Sequence, residues 1–325
     1  MNLLPASVFL VAGLLILLKG AGFLVDGAVA LAEKFGISPL IIGLTVVAMG
    51  TSAPEVAASI TAAARGFGDM AIGNVYGSNI ANLALIGGLC AVIAPITVRP
   101  GVIRMEMPIM LFVALLLWPI LALDSFLTRD ESLLLLVLFA AMMIFTVYNG
   151  LRQAKQHPED EQRASDHLTH AKRSLPANVL FVGLGLVCLA AGADLAIRGA
   201  VTLGDAAGLS KAVIGLTIMA IGTSLPELAT CLVATFKGHD DISIGNLVGS
   251  NVFNTLLVVG AAGAIKPFSV SSRLIGVDYW VMIAVSAAFL AVAAITKRIG
   301  RLPGLCLLAG YVVYLVYLLA MTRGI

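Results

Sequence analysis

One forty-residue segment is written twice in this chain. "GLTVVAMGTSAPEVAASITAAARGFGDMAIGNVYGSNIAN" (43–82) aligns with "GLTIMAIGTSLPELATCLVATFKGHDDISIGNLVGSNVFN" (215–254) at an offset of 172, without a gap and with 20 of 40 positions identical. Upstream the match continues more weakly, "GAGFLVDGAVAL" (20–31) against "GADLAIRGAVTL" (192–203). A repeat of fixed period restricts the fold to two copies of one unit, each completing the other's buried surface. The polarity of the unit sets its surroundings. Of the 325 residues 60% are hydrophobic and only 12% charged, with mean hydropathy +1.03, whereas a soluble domain carries about 25% charged residues. Apolar runs long enough to cross a bilayer recur from end to end, which excludes a soluble globular enzyme. The net charge of +2 comes from the polar connections. No basic stripe interleaved with aromatics is present, so nothing points to nucleic acid.

The pattern predicts ten spans, near residues 4–32, 38–64, 69–95, 105–124, 131–150, 176–204, 210–236, 242–265, 274–296 and 302–322. The first lacks a basic lead-in and a small-residue cleavage pattern, and is read as a retained span. The domains are then a first repeat (1–150), a polar linker (151–175) and a second repeat (176–325). Five spans per copy is an odd number, so the copies enter the membrane in opposite directions. Twelve Lys and Arg lie in the linker and the loops after odd-numbered spans, against six on the other side. This places the linker in the cytoplasm and both termini outside. The expected fold is thus an all-α polytopic membrane protein, ten transmembrane helices in two inverted five-helix repeats. Inverted repeats of this kind bind their substrate at the repeat interface near the bilayer midplane.

The second and seventh spans are expected to be broken. In "GTSAPE" (50–55) and "GTSLPE" (222–227), proline lacks an N–H and interrupts the helical ladder. The freed carbonyls cost several kcal/mol in lipid unless something satisfies them, and a cation can. Thr51, Ser52, Thr223 and Ser224 add hydroxyl oxygens, and Glu55 and Glu227 add carboxylates. Ser-x-x-Glu is also the capping box of any helix start. Yet a carboxylate at mid-bilayer costs at least about 2.5 kcal/mol, and two at symmetric positions argue for function. Asn74, Ser78 and Asn82 form a polar stripe on the third span, repeated as Asn246, Ser250 and Asn254 on the eighth. Interhelical hydrogen bonding is the competing account of Asn74, Asn79, Asn246 and Asn251. Ser78, Asn82, Ser250 and Asn254 complete an oxygen cage suited to a hard cation such as Ca²⁺. The four cysteines, all in apolar segments without metal-like spacing, are read as packing residues. Two glutamates balance one Ca²⁺, and emptying the site needs protons or Na⁺ in its place, which is exchange. Ca²⁺/H⁺ exchange, K⁺-dependent exchange, a cation channel and an intramembrane enzyme are the other readings. The last lacks a recognisable catalytic partner. Asp69 and Asp241 are expected as helix N-caps or mouth-facing acids, Asp26 and Arg198 as gate or structural charges, and Lys19 as a snorkelling side chain.

At the paired "GTS(x)PE" and "GSNxxN" segments the chain resembles the calcium/cation antiporter superfamily, the sodium/calcium exchangers, and within it a bacterial inner-membrane branch. The resemblance spans nearly the whole chain. It implies a ten-helix inverted repeat whose first and sixth helices slide to alternate access, with no cofactor beyond the transported Ca²⁺ and Na⁺. The expected partners are inorganic cations and the lipid bilayer, with no obligate protein partner. It further implies Glu55 and Glu227 as central ligands, Thr51, Thr223, Ala48 and Ala220 as carbonyl donors, and Ser52, Ser224, Ser78 and Ser250 as hydroxyl ligands. Asn82 matches a central-site position. Asn254 stands where characterised exchangers carry an aspartate, so this site keeps two carboxylates.

Overall fold

The computed structural model describes residues 3–156, 174–208, 214, 218 and 220–322. Most of the expected linker and most of the start of the seventh span lie outside the described residues. Among the described residues eight helices are long and apolar enough to cross a bilayer: α1 (Leu3–Phe35), α4 (Gly68–Ile93), α5 (Pro100–Ala122), α6 (Arg129–Gln156), α7 (Leu175–Ala206), α10 (Asp240–Ile265), α11 (Leu274–Thr296) and α12 (Arg301–Thr322). A ninth passage is bent by 44°, between α2 (Pro39–Thr51) and α3 (Ala53–Ala64). The short α8 (Ala220–Thr223) and α9 (Leu225–Phe236) are separated in the same way, at Ser224. The fold is therefore all-helical and polytopic. Helix α5 begins five residues before its expected start because Pro100 takes a first-turn position, where a missing N–H costs nothing, and the helix then bends at Met105 (φ −127°).

The 172-residue offset is carried by the backbone itself. The described residues with left-handed φ are Gly36 and Gly208, Gly66 and Gly238, and Ser125 and Lys297, each pair separated by that offset. Both copies thus end their equivalent helices with the same turn.

Helices α1 and α7 are repeat equivalents and pack against each other along their length. Gly13, Gly20 and Gly27 recur every seven residues on α1, and Gly185, Gly192 and Gly199 are their counterparts on α7. A Cβ on Gly13 would lie 2.4 Å from the Ala196 nitrogen, on Gly20 3.0 Å from the Gly185 oxygen, and on Gly27 3.1 Å from the Asn178 oxygen. Residue numbers rise along α1 as they fall along α7, so the two run antiparallel, backbone against backbone. Only glycine permits that approach.

Two short antiparallel ladders clip the connections: β1 (Ile96–Thr97) pairs with β4 (Arg298–Ile299), and β2 (Phe126–Leu127) with β3 (Phe268–Ser269). Helices α4 and α10 are buried over most of their length and form the centre, while α6 and α12 are exposed along nearly all of theirs. Gly245 and Gly249 let α10 touch α2, a Cβ at either position lying 2.8 Å from a carbonyl of Leu40 or Leu44. This crossing brings the polar stripe of α10 to the break between α2 and α3.

Candidate functional site

The break follows from covalent chemistry. Pro54 cannot donate to the Gly50 carbonyl, nor Pro226 to that of Gly222, so the ladder stops there and restarts with proline in the first turn of α3 and of α9. Ser52 and Ser224 occupy the joints with φ/ψ of −81°/3° and −89°/9°. The lack of a Cβ at Gly50 and Gly222 lets α7 press on both joints. A Cβ there would lie 2.2 Å from Leu186 and 2.5 Å from Ile197.

Neither serine caps its own helix. Ser52 Oγ instead donates to Glu227 Oε1 (3.2 Å), and Ser224 Oγ donates to Glu55 Oε1 (3.3 Å). Each carboxylate takes a hydrogen bond from the other repeat's joint, and the capping-box reading falls. Ser78 Oγ also reaches Glu55 Oε1 (3.4 Å) and lies 3.4 Å from Ser224 Oγ. Both glutamates are 0% exposed. The second oxygen of each, Oε2, is buried without a hydrogen-bond partner, as are Asn82 Oδ1, Ser250 Oγ and both amide atoms of Asn254. Buried oxygens are normally satisfied. Five of the expected ligands, Glu55, Glu227, Asn82, Ser250 and Asn254, thus carry buried, unpartnered oxygens on α3, α4, α9 and α10. Together they supply lone pairs for which the described protein has no use.

The other expected ligands are placed as follows. Thr51 donates to Asn246 Oδ1 across the repeats (3.0 Å), and Thr223, at the end of α8, is half-buried. The Ala48 carbonyl already accepts from Ser52 N (3.0 Å) and lies 3.4 Å from Thr51 Oγ1, so it is engaged within the helix. Ala220 opens α8. Among the described residues no three His, Cys, Asp or Glu side chains cluster as around a metal, so the site offers two carboxylates and otherwise neutral oxygens. Such a donor set suits hard cations. Loss of one hydrogen bond to a buried charge costs about 1.5–3 kcal/mol. Ser52→Ala and Ser224→Ala should therefore each weaken cation binding by at least about tenfold, and to a similar degree, in equilibrium titrations.

Several peripheral readings change. Asp69 and Asp241 are not N-caps, a role held by Phe67 and His239. Asp69 accepts from Ser271 N (2.7 Å), and Asp241 pairs with Arg99 (2.5 Å), its repeat counterpart being the Asp69–Ser271 contact. Both acids tie helix starts to the clipped connections. Asp26 and Arg198 do not meet. Asp26 pairs with Lys237 (2.5 Å), joining α1 to the end of α9, while Arg198 pairs with Asp194 on its own helix. Lys19 is exposed on α1. Cys231, assigned to packing, receives a hydrogen bond from Asn246 (3.3 Å), as Ser59 does from Asn74 (3.0 Å). The repeat alignment carried that signal, since serine and cysteine are nearly isosteric and stand at matched positions 59 and 231.

The sodium/calcium exchanger protein family matches residues 6–148 and again residues 177–320. The inner membrane protein YrbG of Escherichia coli is similar to this chain, 37% identical over 319 residues, 97% of each protein. A sodium/calcium exchanger of Methanosarcina acetivorans is 32% identical over an alignment covering 95% of this chain and 97% of its own. The solved sodium/calcium exchanger from Methanococcus jannaschii superposes with a TM-score of 0.81 and 28% identity, covering 97% of this chain and 98% of its own. In sequence along most of its length and in fold, the chain belongs to the sodium/calcium exchanger family of multi-pass membrane antiporters.

Proposed function

We propose that the protein exchanges Ca²⁺ for Na⁺ by alternating access, with Glu55, Glu227, Thr51, Thr223, Ser52, Ser224, Ser78, Ser250, Asn82 and Asn254 supplying oxygens to the ions. The observation that carries this reading is the reciprocal pair of Ser–Glu bonds, which places two carboxylates with unpaired oxygens at one inter-repeat locus. Ala48 and Ala220, just before the two joints, add backbone carbonyls, the Ala48 oxygen through the lone pair that its bond to Ser52 N leaves.

The architecture behind this proposal is ten helices in two inverted repeats, residues 1–150 and 176–325. Its support is geometric. Equivalent helices α1 and α7 run antiparallel in contact. The repeat offset turns β1 into β3 and β2 into β4, and so exchanges the two ladders. A two-fold axis in the membrane plane produces both relations. The halves are not in mirrored positions. Helix α1 lies against α9, held by Asp26 and Lys237, whereas the equivalent positions, Arg198 and Arg65, carry like charges. An inverted repeat with one side closed is the arrangement that alternating access requires. The proposed setting is the bacterial inner membrane, with both termini periplasmic and the linker cytoplasmic. No cofactor and no obligate protein partner is part of the proposal.

The second reading, Ca²⁺/H⁺ exchange, is favoured by Asn254, which leaves two carboxylates that two protons would neutralise. Uptake of radiolabelled Ca²⁺ into proteoliposomes under separate outward Na⁺ and H⁺ gradients decides between them. Na⁺-driven uptake is expected, and uptake driven by the proton gradient alone would move the assignment to the rival. Asn254→Asp is expected to make Ca²⁺ uptake more strongly pH-dependent than in the wild type, because a carboxylate can take up a competing proton and an amide cannot. Parallel uptake curves in mildly acidic and mildly alkaline buffer check this.

A further inference from the structure

A directional chain of hydrogen bonds leaves the candidate site at Thr51 and ends on a backbone carbonyl. Thr51 Oγ1 donates to Asn246 Oδ1 (3.0 Å), Asn246 Nδ2 donates to Cys231 Sγ (3.3 Å), and Cys231 Sγ donates to the Ser243 carbonyl (3.6 Å). The other half repeats its inner links with one atom changed. Asn74 Nδ2 donates to Ser59 Oγ (3.0 Å), and Ser59 Oγ donates to the Ala71 carbonyl (3.3 Å). Asn74, Ser59 and Ala71 are Asn246, Cys231 and Ser243 displaced by 172 residues. A contact kept in both halves, through oxygen in one and sulfur in the other, is more than incidental packing.

The direction is read from the far end, where the thiol meets the Ser243 carbonyl. A carbonyl only accepts, so the thiol hydrogen is committed to Ser243 and the sulfur is left as an acceptor. Asn246 must then turn its NH₂ towards the sulfur and its oxygen towards Thr51. The threonine hydroxyl has one hydrogen and two acceptors in reach, Asn246 Oδ1 at 3.0 Å and the Glu227 carboxylate; given to Asn246, it leaves the hydroxyl lone pairs for the site. A cation needs oxygen lone pairs and is opposed by a hydrogen pointing at it. Thr51 and Asn246 are 1% and 0% exposed and Cys231 is 0% exposed, so bulk water does not compete for these bonds. Without Asn246, the hydroxyl hydrogen would turn to the Glu227 carboxylate inside the site or to the Ala48 carbonyl, 3.4 Å away in its own helix.

We propose that Asn246 and Cys231 are positioning residues for cation exchange, holding the Thr51 hydroxyl as an acceptor towards the transported ion. This rests on the cation-site reading above, and the test separates the two. Equilibrium binding of Ca²⁺ alone and of Na⁺ alone to the purified full chain would be measured for the wild type and for Asn246→Ala, Cys231→Ala and Cys231→Ser. Ion-free melting temperature and maximal exchange rate would be measured in parallel. One hydrogen bond contributes about 1 kcal/mol, roughly a fivefold change in Kd. Cys231→Ala should raise Kd by about that factor with little change in ion-free melting, Asn246→Ala should raise it at least as much, and Cys231→Ser should restore it to within about twofold. Serine can still accept from Asn246 and donate to Ser243. Wild-type Kd in Cys231→Ala would overturn the proposal. So would a weakened Kd that serine does not rescue, or one matched by an equal loss of ion-free stability, since either marks a packing role. A wild-type chain that binds neither ion would overturn the cation site, and the positioning role with it.

Discussion

Glu55→Gln and Glu227→Gln are each expected to reduce cation-driven exchange at least about a hundredfold, because removing one partner from a buried charged constellation costs about 3–5 kcal/mol. The loss should be large for either residue, since each carboxylate accepts from the opposite joint: Ser224 serves Glu55 and Ser52 serves Glu227. An amide keeps the shape but brings an NH₂ group to a place where a lone pair is needed. Initial rates of Ca²⁺ uptake into proteoliposomes check the prediction, with reconstitution efficiency matched. Full activity in either variant would mean that the carboxylates are structural.

The second large effect is expected at the α1–α7 contact. Gly192→Leu places a side chain where even a Cβ would lie 2.8 Å from the Leu17 nitrogen and 2.9 Å from the Gly13 oxygen. Backbone cannot yield as a flexible side chain does, so destabilisation should reach or exceed about 3 kcal/mol, the upper end for overpacking. Gly183→Ala on the same helix meets nothing within 4 Å and should stay within about 0.5 kcal/mol of the wild type. Thermal unfolding in detergent compares the two.

Much of this architecture was legible in the sequence because the duplication is legible. The offset read from residues 43–82 and 215–254 is the same one that separates Gly36 from Gly208 and Ser125 from Lys297, well outside the aligned segment. The helix breaks were legible because proline's missing N–H acts locally, whatever the tertiary context. The competition between a capping box and a cation site could not be resolved by sequence, because both use Ser-x-x-Glu. The structure removes the capping box, because the Ser52 and Ser224 hydroxyls turn to the opposite repeat's carboxylates. The glycine heptads are not legible in the repeat alignment because Gly13 and Gly185 lie beyond the weakly matching stretch, where the surrounding apolar residues differ between the halves. The sequence marks Cys231 as packing because a thiol among apolar neighbours normally is, whereas its hydrogen-bond partners stand 12 and 15 positions away. The two ladders are two residues a side, too short to leave a pattern. The N-cap reading of Asp69 and Asp241 fails because their partners, Ser271 N and Arg99, lie 202 and 142 residues away.

The central claim is that one site, built on Glu55 and Glu227, binds Ca²⁺ and its counter-ion in turn. Equilibrium binding of radiolabelled Ca²⁺ to the purified protein, with increasing Na⁺ as competitor, tests it most directly, with Glu55→Gln measured alongside. The account predicts saturable Ca²⁺ binding in the wild type, displacement by Na⁺, and loss of that binding in the variant. Ca²⁺ and Na⁺ bound together without competition, or Ca²⁺ bound equally well by Glu55→Gln, would contradict it.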